Sequence, residues 1–381
     1  MNTVSFTDLD RQYMARAITL AKKGRFTTSP NPNVGCVIVN NDTIVGEGFH
    51  LKAGLPHAEV NALAMAKNKT VGATCYVTLE PCSHYGRTPP CALALTKAGV
   101  KRVVIAMEDP NPQVAGRGIH ILLDAGIEVA VGLLESDARN LNLGFIKRMQ
   151  ANRPRVTVKQ AASLDGKTAL KNGQSKWITG PEARIDVQYY RAQQSAILTG
   201  IGTVLADNPS LNVRYNELQK ASQFLNEVNE QSVRQPIRII LDSNNQLTLN
   251  EGLFELPGKV IIVSLSKRSD ICNKILIAEV EQIVGVPDSQ GHIDLNDLLD
   301  RLPQYEVNDL WVEAGAKLSG EFFKNNLVDE FILYQAPKLM GDLARNLVNL
   351  PNFSKMEDVI QLSLKDVAIV GDDLRIISNR D

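Results

Sequence analysis

The chain has 381 residues, 44% apolar and 22% charged, the make-up of a globular protein long enough for two or three domains with cores of their own. Lysine plus arginine (41) balances aspartate plus glutamate (42), leaving no basic surplus to hold nucleic acid or an acidic membrane. No apolar run reaches the roughly 18 residues of a bilayer span, and the acidic start MNTVSFTDLD predicts no secretory signal.

In chain order, Leu9, Tyr13, Met14, Ala17, Ile18 and Ala21 recur at helical spacing, with Gly24 as a stop. Residues 35–40 (GCVIVN) and 43–48 predict two strands joined by the turn Asn40-Asn41-Asp42. A helix is expected over 57–67, a buried strand over 75–79 (CYVTL), a helix over 91–99 and a strand over 103–107. The helix-then-strand unit repeats over 120–125 and 127–131, so the first half reads as a layered α/β sheet. The polar stretch 147–154 (KRMQANRP) sets a domain boundary, giving domains 1–150 and 151–381. The second half predicts strands at 155–162, 196–199, 237–242, 259–264, 310–314 and 330–335. It also predicts a helix over 181–194, with Pro181 at its first position. The Asn/Gln/Glu-rich stretch 216–235, with weak helical spacing, reads as a surface insertion.

Five cysteines, sparse and odd in number, predict a reducing, cytoplasmic setting in which paired cysteines bind metal more often than they form disulfides. Four of the five, and four of the five histidines, fall in the first 150 residues, which is where metal chemistry is to be sought. His57-Ala58-Glu59, then Pro81-Cys82, then Cys91 supply one imidazole and two thiolates, a three-ligand zinc set with the fourth position open to water. Zinc lowers the pKa of such a water toward ~7. Glu59, two residues beyond His57, is placed to move protons without ligating the metal. An isolated HxE is common and an isolated cysteine is usually a small core residue; their combination at helix starts is what carries the reading. Cys36 and Cys75, in apolar strands, and Cys272, in a charged stretch, read as structural.

The HxE…PC…C pattern resembles zinc deaminases, with one departure: eight residues rather than two separate the cysteines. That loop, PCSHYGRTPPC, closely resembles the bifunctional deaminase–reductase family of riboflavin biosynthesis. Pro30-Asn31-Pro32-Asn33-Val34-Gly35 and Glu108-Asp109-Pro110-Asn111-Pro112 agree with it, and the likeness runs over about residues 8–378. It implies a cytidine-deaminase-like three-layer α/β/α domain followed by a dihydrofolate-reductase-like α/β domain. The first would hydrolyse the 2-amino group of a diaminopyrimidinone carrying a ribosylamino 5′-phosphate, with Asn31, His50, His84, Arg87, Asp109 and Asn111 lining the pocket. The second would reduce the ribosyl to a ribityl chain with NADPH.

The reductase half has no G-x-G-x-x-G after its first strand, only short glycine-bearing turns at 163–167, 200–203 and 315–320. The last is expected to lead into a helix over 321–326, and N–H groups at such a turn can hold phosphate. The resemblance carried by VKQAASLDGK, SKWITG, ILTGIGTVLADNPSLNVR and VEAGAKLSG implies NADPH contacts from Ala161, Ser175, Trp177, Thr203, Asp207 and Ser243. The turn Gly315, Ala316, Lys317, Leu318, Ser319, Gly320 and Glu321 would add to them. It implies substrate contacts from Arg191, Leu211, Arg214 and Glu313, with Lys159 near the reacting carbon. Glu313, a carboxylate inside the apolar strand Leu-Trp-Val-Glu-Ala, should be paired or functional. The two arginines suit a sugar phosphate.

Two other readings stand beside this one: a nucleoside or nucleic-acid deaminase fused to an unrelated reductase-like domain, and a binding protein whose zinc site is closed by His84. Partners are expected to be a phosphorylated pyrimidine and a second copy of the chain, as dimer or tetramer, with no nucleic acid or membrane.

Overall fold

The fold comes from a computed structural model, and the described residues are 5–85, 89–112, 114–222, 229–270 and 275–380. Arg87 and Cys272 lie outside them, as does part of the 216–235 stretch. The chain divides into two compact units: residues 1–152 with 224–234, and residues 153–223 with 235–381.

The first unit begins with α1 (Asp8–Ala21), started by a capping box in which the Thr7 hydroxyl accepts from the Asp10 N–H at 3.1 Å and Asp10 accepts from the Thr7 N–H at 2.9 Å. Asp10 is buried and also takes the Tyr76 hydroxyl and Arg102 guanidinium, each at 2.7 Å, so no charge is left unpaired. Next come β1 (Gly35–Asn40), β2 (Thr43–Phe49), α2 (Ala58–Ala66), β3 (Thr74–Val77), α3 (Cys91–Lys97), β4 (Arg102–Ile105), α4 (Arg117–Asp124), β5 (Glu128–Val131), α5 (Glu135–Asn140) and α6 (Leu143–Ala151). The sheet order is β2-β1-β3-β4-β5. β1 is antiparallel to both neighbours, and β3, β4 and β5 run parallel. Fully buried β1 and β3 residues, among them Cys36, Val37, Ile38, Cys75 and Val77, form the core with Met14, Ala62, Leu95 and Leu122.

Glycine sets how closely two helices approach this sheet. A Cβ on Gly35 would lie 1.9 Å from the Ala17 carbonyl oxygen of α1, and one on Gly48 would lie 2.3 Å from that of Ala58 in α2. The N-terminus of α2 is thus pressed directly onto β2.

The second unit contains β6 (Arg155–Ser163), β7 (Lys167–Ala169), α7 (Pro181–Gln193), β8 (Ala196–Gly200), α8 (Ile201–Asp207), α9 (Tyr215–Ala221), β9 (Ile237–Leu241), β10 (Lys259–Ser264), β11 (Glu279–Val284), α10 (Leu295–Arg301), β12 (Asp309–Glu313), α11 (Ala316–Lys324), β13 (Glu330–Ala336), β14 (Arg345–Asn346), β15 (Leu362–Val370) and β16 (Asp373–Arg380). Its main sheet has nine strands in the order β11-β10-β9-β8-β12-β6-β13-β16-β15. Everything from β11 to β13 is parallel; β16 and β15 close one side antiparallel. Both units are α/β, as the alternating pattern predicts.

Two expectations are corrected. The helix expected over 321–326 begins at Ala316, because Gly315, in extended conformation (φ −70°, ψ 169°), already ends the turn. Gly320 therefore sits inside α11, where a Cβ would lie 2.1 Å from the Asn349 carbonyl oxygen; it permits close packing rather than forming a loop. Within 216–235, the described residues show the short helix α9, with Leu218 fully buried, and a 3-10 turn over Glu230–Ser232. Residues 229–234 group with the first unit, where the Arg234 N–H donates to the Phe26 carbonyl at 3.1 Å.

Candidate active sites

In the first unit, three ligand-bearing side chains converge from separate elements. His57 caps α2, Cys82 follows β3, and Cys91 opens α3 behind Pro90. Their donor atoms lie within 4.8 Å of one another, and His84 is not part of the group. His57 Nδ1 is 3.6 Å from Cys82 Sγ and 3.3 Å from Cys91 Sγ. A tetrahedral zinc with Zn–S of about 2.3 Å and Zn–N of about 2.0–2.1 Å requires donor separations of roughly 3.6 Å, so the donors fit that metal in both identity and spacing. The Cys91 N–H donates to Cys82 Sγ at 3.2 Å. Hydrogen bonds from Cys91 and His57 hold the Cys82 thiol well below its ordinary range against the resistance of burial, while the same contact with Cys82 pushes the Cys91 thiol up.

Glu59, in the first turn of α2, is 3% exposed. Burial pushes its carboxyl up to about 7, with His57 opposing and Cys82 adding to the rise. A carboxyl titrating there can both take and return a proton at neutral pH. Beside it, His50 is buried, stands edge-on to His57 at 5.3 Å between ring centres, and receives the Asn31 side-chain N–H at 3.0 Å. Burial lowers its pKa, which keeps the imidazole neutral. Asp109 is partly buried, and its pKa is raised by burial and by the neighbouring Glu80 and Cys82, while the Asn111 N–H and His84 oppose. Asn111 is tied to it, its N–H donating to Asp109 Oδ1 at 2.8 Å. His84 is exposed.

In the second unit, parallel pairing sets Lys159 on β6 directly opposite Glu313 on β12. Arg191, in the last turn of α7, forks onto Glu313 with Nε–Oε1 2.6 Å and Nη2–Oε2 2.7 Å, and Trp311 Nε1 donates to Oε1 at 2.6 Å. Burial alone would raise the Glu313 carboxyl; Arg191 and then Lys159 hold it down at about 2. Burial lowers the Lys159 ammonium, Glu313 opposes, and its Nζ lies 5.9 Å from the Tyr334 ring centre. Arg191 is thus occupied with Glu313, a pairing across 122 residues that no local sequence pattern signals. Arg214 is exposed and forks onto Glu217 at 2.8 Å.

Because β6, β8, β9 and β12 run parallel, their C-terminal ends share one edge of the sheet, where ligands of open α/β sheets bind. Ala161, Ser243, the start of α8 with Thr203, and Gly315 with the first turn of α11 belong to that edge. Ala316, Lys317 and Leu318 present N–H groups of that turn. Ser319 is buried with its hydroxyl directed to the Ala314 carbonyl at 3.3 Å, and Glu321 pairs with Lys324 at 2.7 Å. Asp207 ends α8, and Leu211 beyond it is 2% exposed. Ser175 and Trp177 stand on the segment before α7; Trp177 is 67% exposed, with the Arg184 guanidinium 4.3 Å from its ring centre.

Residues 7–107 match the cytidine and deoxycytidylate deaminase zinc-binding region, and residues 154–376 match the RibD C-terminal domain. The riboflavin biosynthesis protein RibD of Escherichia coli (strain K12) is 51% identical over 96% of this chain and 98% of its own length. The chain belongs to the RibD family. The corresponding Haemophilus influenzae RibD is 49% identical, with 98% of both chains covered. Among solved structures, Acinetobacter baumannii RibD superposes with a TM-score of 0.89 at 46% identity, covering 98% of this chain and 99% of its own. A diaminohydroxyphosphoribosylaminopyrimidine deaminase/5-amino-6-(5-phosphoribosylamino)uracil reductase from Thermotoga maritima gives 0.83 at 33% identity, with 98% and 99% covered. As a RibD-family member the protein is a bifunctional riboflavin-biosynthesis enzyme, a zinc-dependent deaminase joined to an NADPH-dependent reductase. The RibD match of the second half disfavours a nucleoside or nucleic-acid deaminase with an unrelated partner domain. Among the described residues, no helix is long and apolar enough to cross a membrane.

Proposed function

We propose that residues 1–150 deaminate 2,5-diamino-6-(5-phosphoribosylamino)pyrimidin-4-one to 5-amino-6-(5-phosphoribosylamino)uracil and ammonia, and that residues 151–381 then reduce its ribosyl group to ribityl. The observation that carries this reading is the convergence of His57, Cys82 and Cys91 beside a buried carboxylate. Zinc held by those three residues would supply a water that is nucleophilic at neutral pH. Glu59 accepts the proton of that water, delivers it to the ring nitrogen and then carries one to the departing amine. His50, kept neutral and held by Asn31, together with Asp109 and Asn111, offers hydrogen bonds to the edges of the base; His84 and Arg87 are assigned to the phosphate end.

In the second half NADPH, held at the C-terminal ends of the parallel strands, would supply a hydride for the reduction at C1′. Lys159 sits next to the reacting carbon, where a cation stabilises the alkoxide-like oxygen released as the sugar ring opens. The charge of Glu313 favours the ammonium form of Lys159 against the opposing effect of burial, and Arg191 fixes Glu313 through two hydrogen bonds. Leu211 and Arg214 are assigned to the substrate. Ala161, Ser175, Trp177, Thr203, Asp207, Ser243 and the 315–321 segment are assigned to NADPH. The chain works as a homo-oligomer in the cytoplasm.

The test follows ammonia and NADPH together after adding the diaminopyrimidinone ribosyl phosphate to zinc-loaded protein. Ammonia should appear with or without NADPH, and NADPH should be consumed only in its wake. Glu59→Ala should release no ammonia, keep its zinc, and still reduce the deaminated intermediate. Unchanged ammonia and NADPH with the intact enzyme would refute the substrate assignment.

A further inference from the structure

Glu80 is a carboxylate that the mechanism above leaves unused. It follows β3, stands two residues before Cys82, and is 3% exposed. Its backbone N–H continues the sheet by donating to the Met107 carbonyl at 3.0 Å. Its side chain makes no ion pair among the described residues; instead both oxygens face backbone N–H groups. Oε2 accepts from Asp109 at 3.1 Å and Gly116 at 3.0 Å; Oε1 accepts from Gly118 at 2.8 Å and Ile119 at 3.3 Å. One carboxylate therefore ties down both ends of the segment from 109 to the first turn of α4. The same segment is pressed on the stretch that leads into Cys82: a Cβ on Gly118 would lie 2.0 Å from the Pro81 carbonyl oxygen. Within it, Asn111 is folded back on Asp109, and the Val114 and Ala115 N–H groups donate to the Asn111 carbonyl at 2.8 and 2.9 Å.

We propose that Glu80 is a positioning residue for deamination, a latch that fixes the loop bearing Asp109 and Asn111 at the correct distance from the Cys82 side of the metal site. This rests on the reading of Asp109 and Asn111 as substrate residues. The chemistry requires an anion. Four N–H donors share two oxygens, and a negative charge at the start of α4 is favoured by the helix dipole. A glutamine of the same shape offers one acceptor oxygen and turns an NH2 donor toward two N–H donors. It preserves packing and breaks the latch.

The experiment uses full-length zinc-loaded protein and compares Glu80→Gln, Asn111→Ala and the double variant. Ammonia release is measured against pyrimidine concentration, alongside zinc per chain and NADPH-dependent reduction of the deaminated intermediate. Glu80→Gln should raise the deaminase KM by about tenfold or more, with kcat changed much less. Zinc content and the reductase rate should stay at wild-type values. In the double variant the KM effect should be well short of multiplicative, because both changes act through one loop. A wild-type KM in Glu80→Gln when Asn111→Ala raises it overturns the latch. Loss of zinc from Glu80→Gln also overturns it, since the carboxylate would then serve the metal site's own fold. A wild-type KM in Asn111→Ala instead overturns the underlying reading of the loop as substrate-binding.

Discussion

At the scale of single residues, both sites are built on buried carboxylates whose surroundings push them in opposite directions. Glu59, raised to about 7, can trade protons near neutrality, whereas Glu313, held at about 2 against an ordinary 4.5, is permanently charged. For Glu313 the sign is fixed: its pKa is depressed in the folded state, so its contribution to stability is full above about 4.5 and is lost as pH falls through about 2. Glu313→Gln should therefore flatten the acid limb of the second unit's melting curve measured between pH 6 and 2. It should also cost about 3–5 kcal/mol at neutral pH, because Arg191 is left buried without its partner. An unchanged acid limb would remove the pair from the stability account. The sequence pointed to Glu313 as a carboxylate in an apolar strand. The same argument applies to Glu80 in TLEPC. What no local pattern could give is the partner, since Arg191 lies 122 residues from Glu313.

At the scale of elements, the glycines of β2 decide where α2, and with it the candidate ligand His57, stands. Gly46 and Gly48 let α2 settle on the strand, with prospective Cβ atoms 2.2 and 2.3 Å from the Ala62 and Ala58 carbonyl oxygens. Gly48→Ala should lift the end of α2 that carries His57 and Glu59, at a cost of about 1–3 kcal/mol. Metal analysis should find zinc retention reduced, and ammonia release should fall while the reductase rate holds; full zinc with full deaminase activity would show that the contact relaxes at no cost. The central strands were legible because they are short apolar runs; β1 and β10 run over 35–40 and 259–264 as the pattern predicts. The last two strands were not anticipated. β15 is mostly exposed, and a register shift between Leu364 and Asp366 breaks the two-residue alternation by which a strand is recognised. The start of α11 was misjudged for a related reason: Gly315 and Gly320 look alike in sequence, but one ends a turn and the other lies inside a helix.

At the scale of the whole molecule, two units with separate cores and separate chemistry should respond separately. Removing zinc with a chelator should end ammonia release and lower the melting temperature of one transition in scanning calorimetry, leaving the other in place. Reduction of the deaminated intermediate should continue. If both transitions move together, the units do not unfold independently. The division into two α/β halves was visible in the alternation of patterns and in the crowding of cysteine and histidine into the first 150 residues. The regrouping of residues 229–234 with the first unit was not, because it depends on a contact made across more than 200 residues of chain.

The three candidate zinc ligands have one more property in common: they lie within 35 consecutive residues, His57 to Cys91. Synthesis proceeds from the N-terminus, and domains fold as units while it does. All three candidate donors therefore leave the ribosome before Arg155, the first residue of the second unit's sheet. The candidate donor set is therefore complete on a nascent chain long before residues 229–234, which group with the same unit, are made.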